Sequence, residues 1–160
     1  MTAAREWRQV PHGECSIART MALVGAPWTL VVVRDLMLGV RRFDDLVAHL
    51  GIARNVLAHR LDELVAAGLV EAVPYREEGR RPRREYRLTA RGADLRPVLF
   101  ALLAFGDAHL ADAGGPPVRL AHRDCGGEVR LTAGCEHGHE VALDDVRVTV
   151  AADQDAARQR

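Results

Sequence analysis

The chain has no lysine. Its 22 basic side chains are all arginine, and 22 acidic side chains balance them to a net charge of zero. Bulk charge therefore names no partner, and the arginine usage alone fits a GC-rich genome as well as any function. Cysteine is scarce: Cys15, Cys125 and Cys135 are too few and too scattered for the disulfide framework of a secreted domain. No apolar run is long enough to span a bilayer, and the first residues lack the apolar segment of a signal peptide. The expectation is a soluble, cytoplasmic protein with no membrane partner. What is present is an ordinary apolar fraction, 48% of 160 residues, enough for one main domain with a proper core and a small appendage.

Residues 1–14 are polar and unpatterned and are expected to form a mobile arm. In "CSIARTMALVG" (15–25), Ile17, Met21 and Val24 share a helical face and Gly25 is a natural stop. "APWTLVVVRDLMLG" (26–39) opens with Pro27, suited to a first helical turn, and closes with Gly39. Its Val31–Val33 run also fits a strand, but the length between the two stops favours a buried helix. "RRFDDLVAHLG" (41–51) predicts a short helix with Phe43, Leu46 and Leu50 inward. Over 52–70, Leu57, Leu61, Leu64 and Val65 form an apolar face, Asn55, His59 and Asp62 point the opposite way, and Gly68 ends the helix. Two short helices split by one glycine suggest a helix-turn-helix.

"LVEAVPY" (69–75) and "REYRLT" (84–89) are β-type runs, with Gly79 and Pro82 between them as turn residues. They predict a hairpin whose segment 76–89 holds six arginines. Thr89 can cap a helix over 90–113 that carries an apolar stripe of Leu95, Val98, Leu99, Leu102, Leu103, Gly106 and Leu110, with Pro97 placed to bend or restart it. "GGPP" (114–117) marks a boundary. The predicted fold class is mainly α with a small β-wing: a winged helix-turn-helix over 15–113, a small ribbon-like β subdomain over 118–150, and a disordered tail over 151–160.

This order answers why positive charge is concentrated in one stretch of a neutral chain. A tip carrying Arg76, Arg80, Arg81, Arg83 and Arg84 can lie along a phosphate backbone or enter a minor groove, and each phosphate neutralised releases counterions. The plain alternative is a solvated charged loop, which loses ground beside a helix-turn-helix. The second helix of the motif would enter the major groove of double-stranded operator DNA. Arg54, Asn55, Ala58 and His59 would face base edges and phosphates, and Arg60 would contact phosphate or brace Asp62 or Glu63. Arg41 and Arg42, just ahead of the motif, complete the basic set. Asp44–Asp45 and Asp144–Asp145 are adjacent pairs whose side chains diverge, so both are assigned to the surface.

The stretches "CSIARTMALVGAPWTLVVVRDLMLGVRRFDDL" (15–46), "VLAHRLDELVAAGLVEAVPY" (56–75) and "EYRLTARGADLRPVLFALLAFG" (85–106) together resemble the HxlR-type winged-helix regulators, a bacterial transcription-factor family close in architecture to MarR. Gly25, Trp28, Arg34, Asp35, Phe43, Arg60, Leu61, Tyr86, Thr89 and Gly92 stand at the family's pattern positions. The resemblance implies a homodimer on a pseudo-palindromic operator, most often as a repressor, with the long helix and the N-terminal helix at the subunit contact. The chain departs from the family at Ala53, where the family often has Ser or Thr; losing such a capping hydroxyl typically costs ~1 kcal/mol.

The resemblance also implies that Cys15 is positioned to sense oxidants or electrophiles. A thiol at a helix N-terminus has its thiolate stabilised by exposed amides; a small buried apolar residue is the alternative. Trp28, Phe100 and Phe105 are candidates to line a pocket for a small lipophilic effector, or to pack in the core. In the tail, His122, Cys125, Cys135 and His139 approximate the spacing of a zinc ribbon, with His137 as a substitute ligand, but Gly138 stands where a strict Cys-x2-Cys needs its second cysteine. Zinc, a metal-free relic and a Cys125–Cys135 disulfide all stay open, and no cofactor is required. No nucleophile–base pair, phosphate loop or suitably spaced carboxylate pair supports an enzyme. The competing function is a winged-helix protein-interaction or ligand-binding module without operator binding.

Overall fold

Apolar residues recurring at helical spacing, each run closed by a glycine, set out the first half of the chain. In the computed structural model, which describes residues 7–8, 10–76 and 83–150, they form α1 (Ser16–Val24), α2 (Thr29–Met37), α3 (Phe43–Leu50) and α4 (Arg54–Ala66). A hairpin follows, β1 (Val70–Tyr75) and β2 (Arg83–Leu88), then α5 (Ala90–Ala93) and α6 (Arg96–His109). Farther on, β3 (Ala133–Gly134) pairs with β4 (Glu140–Val141). The chain divides into two units, Met21–Gly115 and a second that combines Met1–Thr20 with Pro116–Arg160. The expected tail 151–160 lies outside the described residues.

The first unit has one core, built from Val24, Val32, Val33, Leu36, Leu46, Ile52, Leu57, Leu61, Leu64, Leu69 and Val70. The Val31–Val33 run is helical, as the distance between its stops requires, and sends Val32 and Val33 fully inward. This helix begins two residues later than Pro27 suggests. Ala26 to Thr29 form a turn closed by Thr29 N–H donating to the Ala26 carbonyl at 3.2 Å, with Pro27 at its second position. Trp28, at its third position, has φ 75° and ψ −20°, the geometry of a type II turn that glycine normally occupies.

Each stop glycine has a physical reason. Gly51 ends α3 at φ 63°, its N–H donating to the Val47 carbonyl. Gly68, at φ 68°, ends α4 in a Schellman arrangement: its N–H donates to Val65, and Leu69 N–H donates to Leu64. Leu64 and Leu69 are both buried, the apolar contact that accompanies this motif. Val65, assigned by periodicity to the inner face, is exposed.

The wing strands pair antiparallel in a register running from Val70↔Leu88 to Tyr75↔Arg83. A third strand segment joins them. Arg42 bridges Glu85, and Tyr86 N–H donates to the Arg41 carbonyl at 2.8 Å. Thr89 caps α5 as expected, its Oγ1 accepting from Gly92 N–H at 3.1 Å. The helix expected over 90–113 is instead two, and Pro97 lies in the first turn of the second. The stripe begins at Leu95, which caps the second helix, and divides by burial: Leu95 and Leu99 pack on the core, whereas Val98, Leu102 and Leu110 are exposed, as is Phe105.

Buried Asp35 on α2 receives Arg34 at 2.7 Å on one oxygen and contacts Nδ1 of His49, on α3, at 2.5 Å through the other. This polar link ties the first core helix to the first helix of the motif. Both partners are half exposed and keep access to water, so the carboxylate is the member that depends on the pairing.

In the second unit, a short 3-10 turn over His12–Glu14 leads into Cys15. None of the described residues from 116 to 150 is buried. They form two tight turns with left-handed glycines, Gly126 at φ 69° and Gly138 at φ 80°. Among the described residues, no single helix is long and apolar enough to cross a membrane.

Candidate nucleic-acid interface

The helix-turn-helix is α3 and α4, separated by Gly51, Ile52 and Ala53. Ile52 is buried and anchors the turn in the core. On α4, Leu57, Leu61 and Leu64 face inward, so Arg54, Asn55, His59 and Asp62 face outward. Ala58 is partly buried beside them. Ala53 caps α4 with no side-chain hydrogen bond, as its lack of a hydroxyl requires. Arg60 braces Glu63, one of the two carboxylates anticipated for it, and His59 approaches the same glutamate at 3.3 Å.

Three separate elements converge at the N-terminal end of this helix. Arg42, Phe43, Asp44 and Asp45 come from the start of α3, Arg54 from α4, and Tyr75, Arg83, Arg84 and Tyr86 from the wing. They line an open cleft of about 510 Å³. Two guanidiniums are held over aromatic rings: Arg42 lies 4.9 Å from the Tyr75 ring centre and Arg54 lies 4.8 Å from that of Phe43. Asp44 takes one arginine on each oxygen, Arg54 Nη1 at 2.8 Å and Arg83 Nη1 at 3.3 Å. The Tyr86 phenol is raised above its ordinary 10.0, by burial first and then by the charge of Asp62, against the pull of Arg84. It therefore stays a neutral hydroxyl, able both to donate and to accept.

The cleft gathers Arg42, Arg54, Arg83 and Arg84, and exposed Arg41 adjoins it through the backbone bond to Tyr86. Arg80 and Arg81 of the wing tip lie outside the described residues. Sequence reasoning missed the part played by Phe43, Asp44, Tyr75 and Tyr86. Asp44 looked like solvated surface because its partners stand 10 and 39 residues away.

The remaining candidates lie elsewhere. Cys15 is a free, partly buried thiol one residue ahead of α1. Trp28 and Phe105 are exposed and Phe100 is partly buried; Phe105 packs against His109 at 4.8 Å between ring centres. In the C-terminal segment the four expected ligands form two local pairs. His122 Nδ1 lies 3.2 Å from Cys125 Sγ, and Cys135 Sγ lies 3.5 Å from His139 Nδ1. Among the described residues no three metal-ligating side chains are gathered at one point.

A helical core, a helix-turn-helix and a basic two-stranded wing define a winged helix-turn-helix protein. Residues 23–113 match the HxlR-like helix-turn-helix family, and the chain belongs to that family. It is 41% identical over 132 residues, 82% of each chain, to the uncharacterized HTH-type transcriptional regulator Rv3095 of Mycobacterium tuberculosis. Its fold superposes on the proposed transcription factor PA1607 with a TM-score of 0.75 at 36% identity, covering 85% of this chain and 94% of that one. The oxidized form of the redox regulator HypR matches with a TM-score of 0.55 at 25% identity, over 61% of this chain and all of that one. The protein is a transcriptional regulator with a helix-turn-helix domain, not an enzyme.

Proposed function

We propose that the protein is a homodimeric repressor that sets α4 in the major groove of each operator half-site and lays the wing along the neighbouring backbone. The convergence of Arg42, Arg54, Arg83 and Arg84 on one cleft beside the outer face of α4 carries this reading. Arginines from three elements, two of them steadied on aromatic rings, suit phosphates at defined positions better than a loop of solvated charge does. The dimer contact is assigned to Val98, Leu102 and Phe105, apolar side chains left exposed along α6. The test is fluorescence anisotropy with the DNA upstream of the gene, titrated with salt. The expected result is selective binding whose log–log salt slope falls by about one unit for each arginine of the cleft replaced by alanine. A weak, non-selective response with a flat slope would leave a protein-interaction module instead.

A second reading adds control by oxidants. It is favoured by the free thiol of Cys15 ahead of α1 and by the likeness to HypR, a redox regulator. Peroxide or quinone is expected to weaken operator binding by wild type and leave Cys15→Ser unaffected; equal loss in both proteins removes this reading.

A further inference from the structure

The Asp44 carboxylate lines the cleft between Arg54 and Arg83 and opposes the charge a DNA-binding surface needs. We propose that Asp44 is a specificity-determining residue, a carboxylate that ties Arg54 of the recognition helix to Arg83 of the wing so that both arginines serve only phosphates in the operator register. This inference rests on the operator-binding reading above.

The geometry supports a tether rather than a structural bond. Each Asp44 oxygen takes one guanidinium through a single nitrogen, Nη1 in both cases. Each arginine therefore keeps its other N–H groups for a second acceptor. The three side chains are 54%, 64% and 49% exposed for Asp44, Arg54 and Arg83, and ion pairs that exposed add little to stability. Such a link cannot hold the wing to the core. It can hold two long, rotamer-rich side chains in one place, and Phe43 under Arg54 adds to that restraint.

The consequence differs between DNA sequences. On the operator, base contacts by α4 set the register, and the tethered arginines meet phosphates where Asp44 holds them. On other DNA the register is not set, and arginines tied to a carboxylate cannot swing to the nearest phosphate. Asp44 thus withholds from non-cognate DNA the phosphate contacts that dominate non-specific binding. Its cost falls on the competitor more than on the operator.

The experiment compares wild type with Asp44→Asn, which keeps the shape and removes the charge, and with Asp44→Ala as a second variant. The probes are a duplex selected by wild type from a random-sequence pool and a scrambled duplex of the same length. Anisotropy is followed between 50 and 200 mM salt, with equal melting temperatures as the check on folding. On the scrambled duplex the salt slope of Asp44→Asn is expected to steepen by about one unit per released arginine, a gain of about three- to fourfold in relative affinity at the low-salt end for each. The selected duplex gains less, so the specificity ratio falls by about threefold or more. Adding Arg83→Ala to Asp44→Asn is expected to remove about half of the steepening. Equal shifts on both duplexes, or an unchanged salt slope, would overturn the role of Asp44 alone. Failure of wild type to select any duplex from the pool would overturn the operator reading, and this inference with it.

Discussion

Among the described residues between 21 and 115, eleven apolar side chains are buried in one core, where Asp35 is paired and the Thr29 hydroxyl is buried without a hydrogen-bond partner. Between 116 and 150 no described residue is buried, and Val118, Leu131, Leu143, Val146 and Val148 all face water. The second region has the turns of a ribbon, with glycines at φ 69° and 80° and a two-residue strand pair, but no apolar interior. Turn chemistry thus gives local shape without a core. Stretches below about 40 residues rarely bury enough surface to stand alone without a metal, a disulfide or a partner. The winged-helix region instead carries function on a frame able to hold side chains in register.

The contrast is broken most strongly from inside the first region. Leu57→Ala empties a fully buried site at the base of the recognition helix and is expected to cost about 2–5 kcal/mol in urea unfolding. Leu131→Ala, at an exposed position of the second region, should stay within about 0.5 kcal/mol. Gly92→Ala tests the backbone: a Cβ there would sit 2.0 Å from the Leu69 carbonyl oxygen, and a cost of about 3 kcal/mol is expected by the same measurement. Thr89→Ala removes the hydroxyl that caps α5 and reaches the Gly68 carbonyl at 2.8 Å, for a loss of about 1–2 kcal/mol. The contrasting changes, Cys125→Ser and Cys135→Ser, touch exposed thiols and should leave the melting curve within about 0.5 kcal/mol of wild type.

The smallest effect concerns pH. Folding raises the Tyr86 phenol above 10.0, through burial and then Asp62, so the folded state favours the neutral form. Its contribution to stability is fully present below the ordinary tyrosine value and is lost as pH rises through the raised one. Ultraviolet titration is expected to place the Tyr86 midpoint higher in folded protein than in denaturant, and Asp62→Asn to bring it down. A midpoint equal in both states would show that the phenol is not buried beside the wing.

Much of this was legible in the chain. The order of the helices, the hairpin and the cap at Thr89 follow from spacing and stop signals. The Val31–Val33 ambiguity is resolved by the length between stops. The errors have local causes. Val65 lies about 80° around the helix from Leu57, at the edge of the stripe, so a period of 3.6 alone does not decide its side. Pro27 lies two residues ahead of α2, in the Ala26–Thr29 turn, which sets Trp28 at a φ that sequence preference assigns to glycine. Arg41 and Arg42 gave no sign of pairing with the wing, since a single bridge leaves no alternating pattern.

The sequence by itself determined where helices and strands begin and stop, which face of α4 is apolar, and that positive charge gathers in the wing. Those properties depend on neighbours within a few residues, where periodicity and backbone preference act. Only the tertiary structure decided that Arg54, Arg83 and Asp44 meet, that Arg42 stacks on Tyr75, and that the tail's Cys/His residues stay as two pairs. Ion pairs and ring contacts fall off within a few ångströms of space, and separation along the chain says nothing about that distance until the core has closed.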